Sequence, residues 1–393
     1  MTAHSHPVVV RPVLSQRDLM AFIKFPFRLY KDDPYWVPPL IAERKLFFNP
    51  RRNPFYDHAE VQLFLAERAG QVVGTISAHI NHTHNEFHDE KVGFFGFFEV
   101  MDDPGAAQAL LHTACVWVHE RGMAAIRGPM NFSTNEESGL LVDGFDCPPV
   151  VFMTYNPRYY QGFIEAFGMH KAMDLWAYKL DIAAVGQDMA GFPPKLKRVV
   201  DLAMKRQRFT VRKVNMKDFE NELGRAKVIY NSAWQRNWGF VPMSDEEIDH
   251  LARGVKGWVD PNLIFIAEID GRPVGVSISL PDMNQPLLHM GGRLLPFGWL
   301  KYLWHRRRIS ICRVFAMGVL EEYRAIGIDA VFYYLTAKNG LPKGYAMAEM
   351  SWILENNTMM NRAIQMLGGT VYKTYRVYEY PLQPTGAAEE AAR

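Results

Sequence analysis

The sequence predicts a mixed α/β (α+β) protein in which one domain type is written twice, and three observations predict it. At 393 residues the chain exceeds what a single core ordinarily carries, so two domains are expected. A hydrophobic fraction of 48% with 13% aromatics describes well-packed domains. The third observation is the decisive one: the same order of strand, turn and helix signals runs through residues 61–180 and again through 263–380.

Taken in order, "VQLFLAERAGQVVGTISAHI" (61–80) reads as strand, Gly70 turn, strand, and "LIFIAEIDGRPVGVSISL" (263–280) repeats it around Asp270-Gly271. Apolar-rich runs around a short Gly turn are a hairpin signal. A third strand follows in each copy, "KVGFFGFFEV" and "RVFAMGVL", and then a helix, "PGAAQALLHTACVWVHERG" and "IDAVFYYLTAKNG". The next strands are "AAIRGPMNFS" and "YAMAEMSWIL". Each copy closes with a helix ending in Gly and a tyrosine-rich strand, "PRYYQGFIEAFGMHKAMDLWAYKL" and "TMMNRAIQMLGGTVYKTYRVYEY". Gly, Pro and small residues cluster at "DIAAVGQDMAGFPPK", which places the joint there. The expected domains are therefore 1–185 and 186–382, with 383–393 as a frayed tail.

Composition excludes several classes. A net charge of +2 exerts no global pull on nucleic acid, so any basic patch is local. No run of eighteen apolar residues is present to span a membrane, and "MTAHSHPVVVRP" lacks the long apolar core of a secretory signal. Cys115, Cys147 and Cys312 are far apart and odd in number, which fits neither a disulfide framework nor a zinc site. The profile is that of a cytoplasmic enzyme with reduced thiols.

The order strand, Gly turn, strand, strand, Arg-x-x-Gly loop, helix, strand, Asn, helix, Gly resembles the GCN5-related N-acyltransferase (GNAT) fold over essentially the whole chain, as two fused copies. More narrowly, "NEFHDEKVGFFGFFE", "GPMNFSTNEESGLLVDGFD" and "SWILENNTMMNRAI" resemble a bacterial tandem-acyltransferase family that includes the bacterial ceramide synthases. The resemblance implies an acyl-coenzyme A-dependent N-acyltransferase forming an amide on a primary amine, with a long acyl donor and a sphingoid-type acceptor. It implies no metal. In such enzymes a splayed strand pairs with pantetheine, and the following loop and helix N-terminus hold the pyrophosphate. Those parts fall on Met317, Gly318 and Val319, then Arg324, Ala325, Gly327 and Ile328, with Asn357 beside them.

One residue of "EEYRAIGIDAVFYYL" opposes that role, because Asp329 brings a carboxylate to the phosphate position. The loop is read as functional, with Asp329 turned sideways and Arg324 compensating. The first copy has "EVMDDPGAAQ" instead, where Asp102 and Asp103 cap the helix and exclude phosphate. That copy is read as degenerate in cofactor binding and as shaping the acceptor pocket. Ile364 stands where the family's proton-donating tyrosine falls.

Amine acylation needs a base, because an ammonium has no lone pair for attack. Glu99 and Glu136 are the candidates, with Asn131, Asn135, Glu137, Tyr155 and His84 as acceptor-binding residues. A capping or ion-pair role for either glutamate stays open. "HINHTHNEFHDE" is read as a polar loop between strands, without metal spacing. "PFGWLKYLWHRRRISICR" (296–313) has two readings, a buried helix with a solvated charge run or a segment lying on an anionic bilayer. The second adds peripheral contact with the inner membrane face. Two other functions stay open: a Fem-like aminoacyl transferase and a non-catalytic acyl-coenzyme A-binding regulator.

Overall fold

The computed structural model describes residues 6–324 and 326–382. Its strands are β1 (Val8–Pro12), β2 (Ala59–Arg68), β3 (Gln71–Asn81), β4 (Val92–Val100), β5 (Ala125–Gly128), β6 (Leu140–Asp143), β7 (His170–Asp181), β8 (Thr210–Lys213), β9 (Ile264–Ile269), β10 (Arg272–Pro281), β11 (Ile311–Val319), β12 (Met347–Leu354) and β13 (Thr370–Pro381). The helices are α1 (Gln16–Leu29), α2 (Ile41–Phe47), α3 (His82–His88), α4 (Pro104–His119), α5 (Tyr159–Ala166), α6 (Pro194–Arg206), α7 (Phe219–Ala233), α8 (Asp245–Val255), α9 (Asn284–Leu287), α10 (Gly298–His305), α11 (Ile328–Gly340) and α12 (Thr358–Met366).

By contact the described residues form two units: 6–175, 291–293 and 374–382 in the first, 176–290, 294–324 and 326–373 in the second. The boundaries expected from sequence are contiguous, whereas this division is not, because β7 and β13 each contribute to both units. The first unit's sheet runs β1-β2-β3-β4-β5-β13, with β6 also on β13; the second runs β8-β9-β10-β11-β12-β7.

Both hairpins turn as the Gly signals require. Ala69 and Gly70 have φ of 49° and 74°, and Asp270 and Gly271 have 50° and 77°. Two successive positive φ values match the twist of the flanking strands and set their register. In the first unit, Ala107, Leu110, Leu111 and Val118 of α4 pack on Ile76, Ala78, Phe95 and Ile126 of the sheet. In the second, Ile328 and Phe332 of α11 cover Phe265, Ala267 and Val274, while Ile229 of α7 covers Ile266 and Val276.

One further irregularity occurs twice and positions the site. The β3/β4 register slips between Thr75 and Ser77, and the β10/β11 register between Ile278 and Ser279. A bulge bends its strand and increases twist. Beyond it each strand leaves its parallel neighbour: β4 pairs β5 only over Val92–Phe94, and β11 pairs β12 only over Ile311–Val314. Each unit thus has a V-shaped opening in its sheet.

The histidine-rich stretch corrects the expectation of a polar loop. Asn81 accepts a hydrogen bond from the His84 amide and starts α3, while His79 lies within β3. His79 and His84 are both buried. Burial disfavours the imidazolium, which lowers their pKa values to about 3 and about 4. The segment 296–308 also departs from the buried-helix reading, since only Gly298 of α10 is buried.

Candidate functional site

The first unit gathers polar groups around the far end of β4. Glu99 comes after the bulge, whose residue Phe97 has a φ of 45°. Two tyrosines hold its carboxylate. Tyr30, which caps the C-terminus of α1, donates to Oε2 at 2.6 Å, and Tyr160 of α5 donates to the same oxygen at 2.9 Å. Among the described residues no hydrogen bond reaches Oε1. Desolvation outweighs both tyrosine hydrogen bonds and raises the Glu99 pKa to about 7. A carboxyl group poised near neutrality suits a general base.

The surrounding groups are fixed by their own partners. The Tyr30 ring stacks on Trp36, with centroids 5.0 Å apart. Tyr155 donates to Asp33 at 2.9 Å. Glu137 accepts from Arg44 at 2.8 Å and from Asn131 at 3.0 Å, and the Asn131 carbonyl accepts from the Phe97 amide at 2.7 Å. Glu137 and Arg44 both act electrostatically on Glu99, so this network and the Glu99–tyrosine group form one site. Glu136 lies within the field of Arg44 and is half-buried. The Asn135 amide donates to Ser133, a turn contact within the loop. His84 belongs elsewhere: it bonds Glu90, which in turn pairs with Arg127. Of the residues singled out from sequence, Glu99, Asn131, Glu137 and Tyr155 come together here.

In this unit the V-shaped opening is filled by the chain's own groups. Met130 N–H donates to the Phe95 carbonyl, and Asn131 takes the Phe97 amide. Gly96 is needed for that approach, since a Cβ there would lie 1.8 Å from the Met130 carbonyl oxygen. Tyr160 accepts from the Val100 amide and Tyr159 donates to its carbonyl. Asp103 caps α4 through the Ala106 amide and forms a bidentate pair with Arg68 at 3.0 Å. At that helix start Pro104 has no N–H, and the Ala106 and Ala107 amides are taken by Asp103.

The second unit differs at the same places. Met359 and Met360 stand where the first unit has Tyr159 and Tyr160, in each case nine and eight positions before Gly368 or Gly168. Met317, Gly318 and Val319 lie beyond the last β11–β12 pair at Val314. The indole of Trp234 rests against Gly318. Trp234 caps α7 as Tyr30 caps α1, so the two units place an aromatic ring at the same point. An apolar cavity lies alongside, lined by Val314, Met350, Tyr333, Ala337 and Leu367 among others.

The expected pyrophosphate loop is only partly as anticipated. Gly327, with φ of 91°, precedes Ile328 at the start of α11. Arg324, expected to offset Asp329, donates instead to the carbonyls of Val319 and Ala233. Asp329 lies in the first turn of α11, where burial raises its carboxyl pKa and the backbone of Asp329 and Ala330 opposes the shift. Asn357 caps α12 through the Met360 amide. Ile364 is buried among Tyr178 and Met350. Ala325 lies outside the described residues, as does the tail 383–393. Among the described residues no group of histidine, cysteine and carboxylate side chains is arranged to hold a metal.

Sequence reasoning missed Tyr30, Tyr160, Arg44 and Asp33. Tyr30 and Asp33 lie in the aromatic, Pro-punctuated stretch 22–40, so its composition was the available signal; nothing local marks Tyr160 or Arg44.

Comparison with known proteins follows these features. The chain is 38% identical over 385 residues to Protein YghO of Escherichia coli (strain K12), covering 95% of this chain and 96% of that protein. It is 39% identical over 380 residues to a bacterial ceramide synthase of Caulobacter vibrioides, covering 95% and 97%. No family model matches. Among solved structures, a tandem GNAT protein from the clavulanic acid biosynthesis pathway superposes with a TM-score of 0.59 at 12% identity, over 96% of this chain and 99% of that one. A GCN5-related N-acetyltransferase from Sphaerobacter thermophilus gives 0.53 at 13% identity, over 96% of both chains. These two likenesses establish the fold.

Proposed function

The chain belongs to the tandem GNAT acyltransferases, in the family that contains a bacterial ceramide synthase, and on that premise we propose that it moves a long acyl group from coenzyme A to the primary amine of a sphingoid-type base. The observation that carries this reading is 39% identity to that synthase along 97% of its length. The Glu99 site supplies chemistry consistent with it.

In this reading Glu99 takes a proton from the acceptor ammonium. The freed nitrogen lone pair attacks the thioester carbonyl, the N–C bond forms, and the C–S bond breaks to release coenzyme A. Tyr30 and Tyr160 hold Glu99 in place, while the Arg44–Glu137–Asn131 network and Tyr155 border the acceptor. With Ile364 at the family's tyrosine position, the thiolate leaves without an enzyme acid, as the low basicity of a thiolate permits. On the donor side, the edge of β11 beyond its last pair with β12 at Val314 and the start of α11 fit pantetheine and pyrophosphate in backbone terms, and Asp329 opposes the second.

Asp329 is the one observation favouring a second reading, a regulator that binds acyl-coenzyme A without turnover. Free thiol release from acyl-coenzyme A of several chain lengths, measured with sphinganine, short amines and amino-acid esters, separates the two. The proposal expects release with sphinganine and formation of the amide. Tight coenzyme binding with no release on any amine establishes the regulator instead.

A further inference from the structure

Of the twenty large apolar side chains exposed among the described residues, seven fall between Leu294 and Trp304, so this short stretch differs from the scattered exposure of an ordinary surface. Leu295, Phe297 and Trp304 are 75%, 69% and 61% exposed. A core helix buries a stripe of its side chains, but in α10 only Gly298, which has none, is buried. The charge pattern is equally one-sided. From Met283 to Leu320 the chain has no Asp or Glu, and Lys301, Arg306, Arg307 and Arg308 are all exposed. The cations adjoin the rings: the Arg308 guanidinium sits 4.8 Å from the Trp304 ring centre, and that of Arg306 sits 5.4 Å from Tyr302.

We propose that residues 294–308 are a docking surface for an anionic lipid bilayer. Aromatic and aliphatic side chains beside arginines, in a run of chain without a carboxylate to repel phosphate, match the two layers of a membrane interface. The rings and aliphatic groups enter the headgroup–acyl boundary, and the guanidinium groups meet lipid phosphates. The overall net charge of +2 leaves this attraction local, which sets the orientation in which the protein lands. Among the described residues no helix is long and apolar enough to cross a membrane, so attachment through this surface is reversible. The inference stands on the surface itself and not on the identity of the amine.

The test is co-sedimentation of the full chain with vesicles of phosphatidylglycerol and phosphatidylcholine, against vesicles of phosphatidylcholine alone. Strong binding to the anionic vesicles at low salt, weakened as salt is raised, is expected. Arg306→Ala with Arg307→Ala and Arg308→Ala should weaken binding about 100-fold, roughly fivefold per arginine. Phe297→Ser with Trp304→Ser should weaken it independently, while circular dichroism of both variants matches the parent. Absence of binding to anionic vesicles at low salt overturns the proposal. So does a dimer that the Phe297→Ser, Trp304→Ser variant converts to monomer, because a second copy would then cover the surface. Displacement of the protein from vesicles by an equal mass of RNA also overturns it.

Discussion

Replacing Glu99 with Gln keeps the shape and removes the ionisation, which makes the site's chemistry measurable in two independent ways. The Glu99 pKa is raised to about 7, chiefly by desolvation. In the unfolded chain the same carboxyl titrates near 4.3. Between those values the unfolded state has lost a proton that the folded state keeps, so wild-type stability falls as pH rises from about 4.5 to about 7. Full burial would make that loss about 4 kcal/mol, and the partial exposure of Glu99 reduces it to about 1–2 kcal/mol. The Gln variant lacks this term, so its unfolding free energy relative to wild type should climb by that amount across the same window. Urea denaturation at a series of pH values reads it directly. The kinetic readout is separate. Wild-type kcat/KM should rise with an apparent pKa near 7, and Glu99→Gln should lower it about 100-fold or more with little change in coenzyme affinity. Tyr30→Phe removes a 2.6 Å donor to the charged form and should move that rising limb upward by about one pH unit. A Gln variant with parental rates from about pH 6 to 9 would remove Glu99 from catalysis, and a stability difference flat with pH would show that its carboxyl is not held protonated.

Two further outcomes test the division of labour between the units. Asp329→Asn clears a carboxylate from the first turn of α11, so coenzyme A affinity by calorimetry should improve several-fold if the pyrophosphate binds there; unchanged affinity places the phosphates elsewhere. Asp103→Asn should leave coenzyme affinity unchanged and cost about 2 kcal/mol of stability by urea denaturation. That cost falls on the largely buried bidentate pair with Arg68 and not on the helix cap, because Asn caps a helix about as well as Asp. A large loss of coenzyme binding would assign the donor site to the first unit.

Much of the site was legible where chemistry is carried by neighbours in sequence. The run "GFFGFFE" places Glu99 at a strand end, and the dense polar loop after Met130 announces Asn131 and Glu137. The Asp-Asp-Pro start of α4 already marks a capped helix, and Asp103 does cap it. Other parts were not legible because their partners lie far along the chain. Tyr30 and Tyr160 reach Glu99 across 69 and 61 residues, and Arg44 reaches Glu137 across 93. No local pattern encodes such a meeting. The histidine stretch shows the converse, since its polar composition suggests a loop while β3 carries His79 into the core.

The sequence by itself determined the duplicated order of elements, the two glycine turns and the aspartate cap at the start of α4, because periodicity, turn chemistry and capping act over a few residues. Only the tertiary structure decided which openings in the sheets are closed and which side chains are wet. Tyr160, Asn131 and Met130 fill the opening in the first unit, and the equivalent edge of β11 ends its pairing at Val314. "WLKYLWHRRR" could equally have been core or surface, and the choice fell to the packing around it. An apolar side chain is buried only where another element comes to cover it, and whether one does is not written in its own neighbourhood.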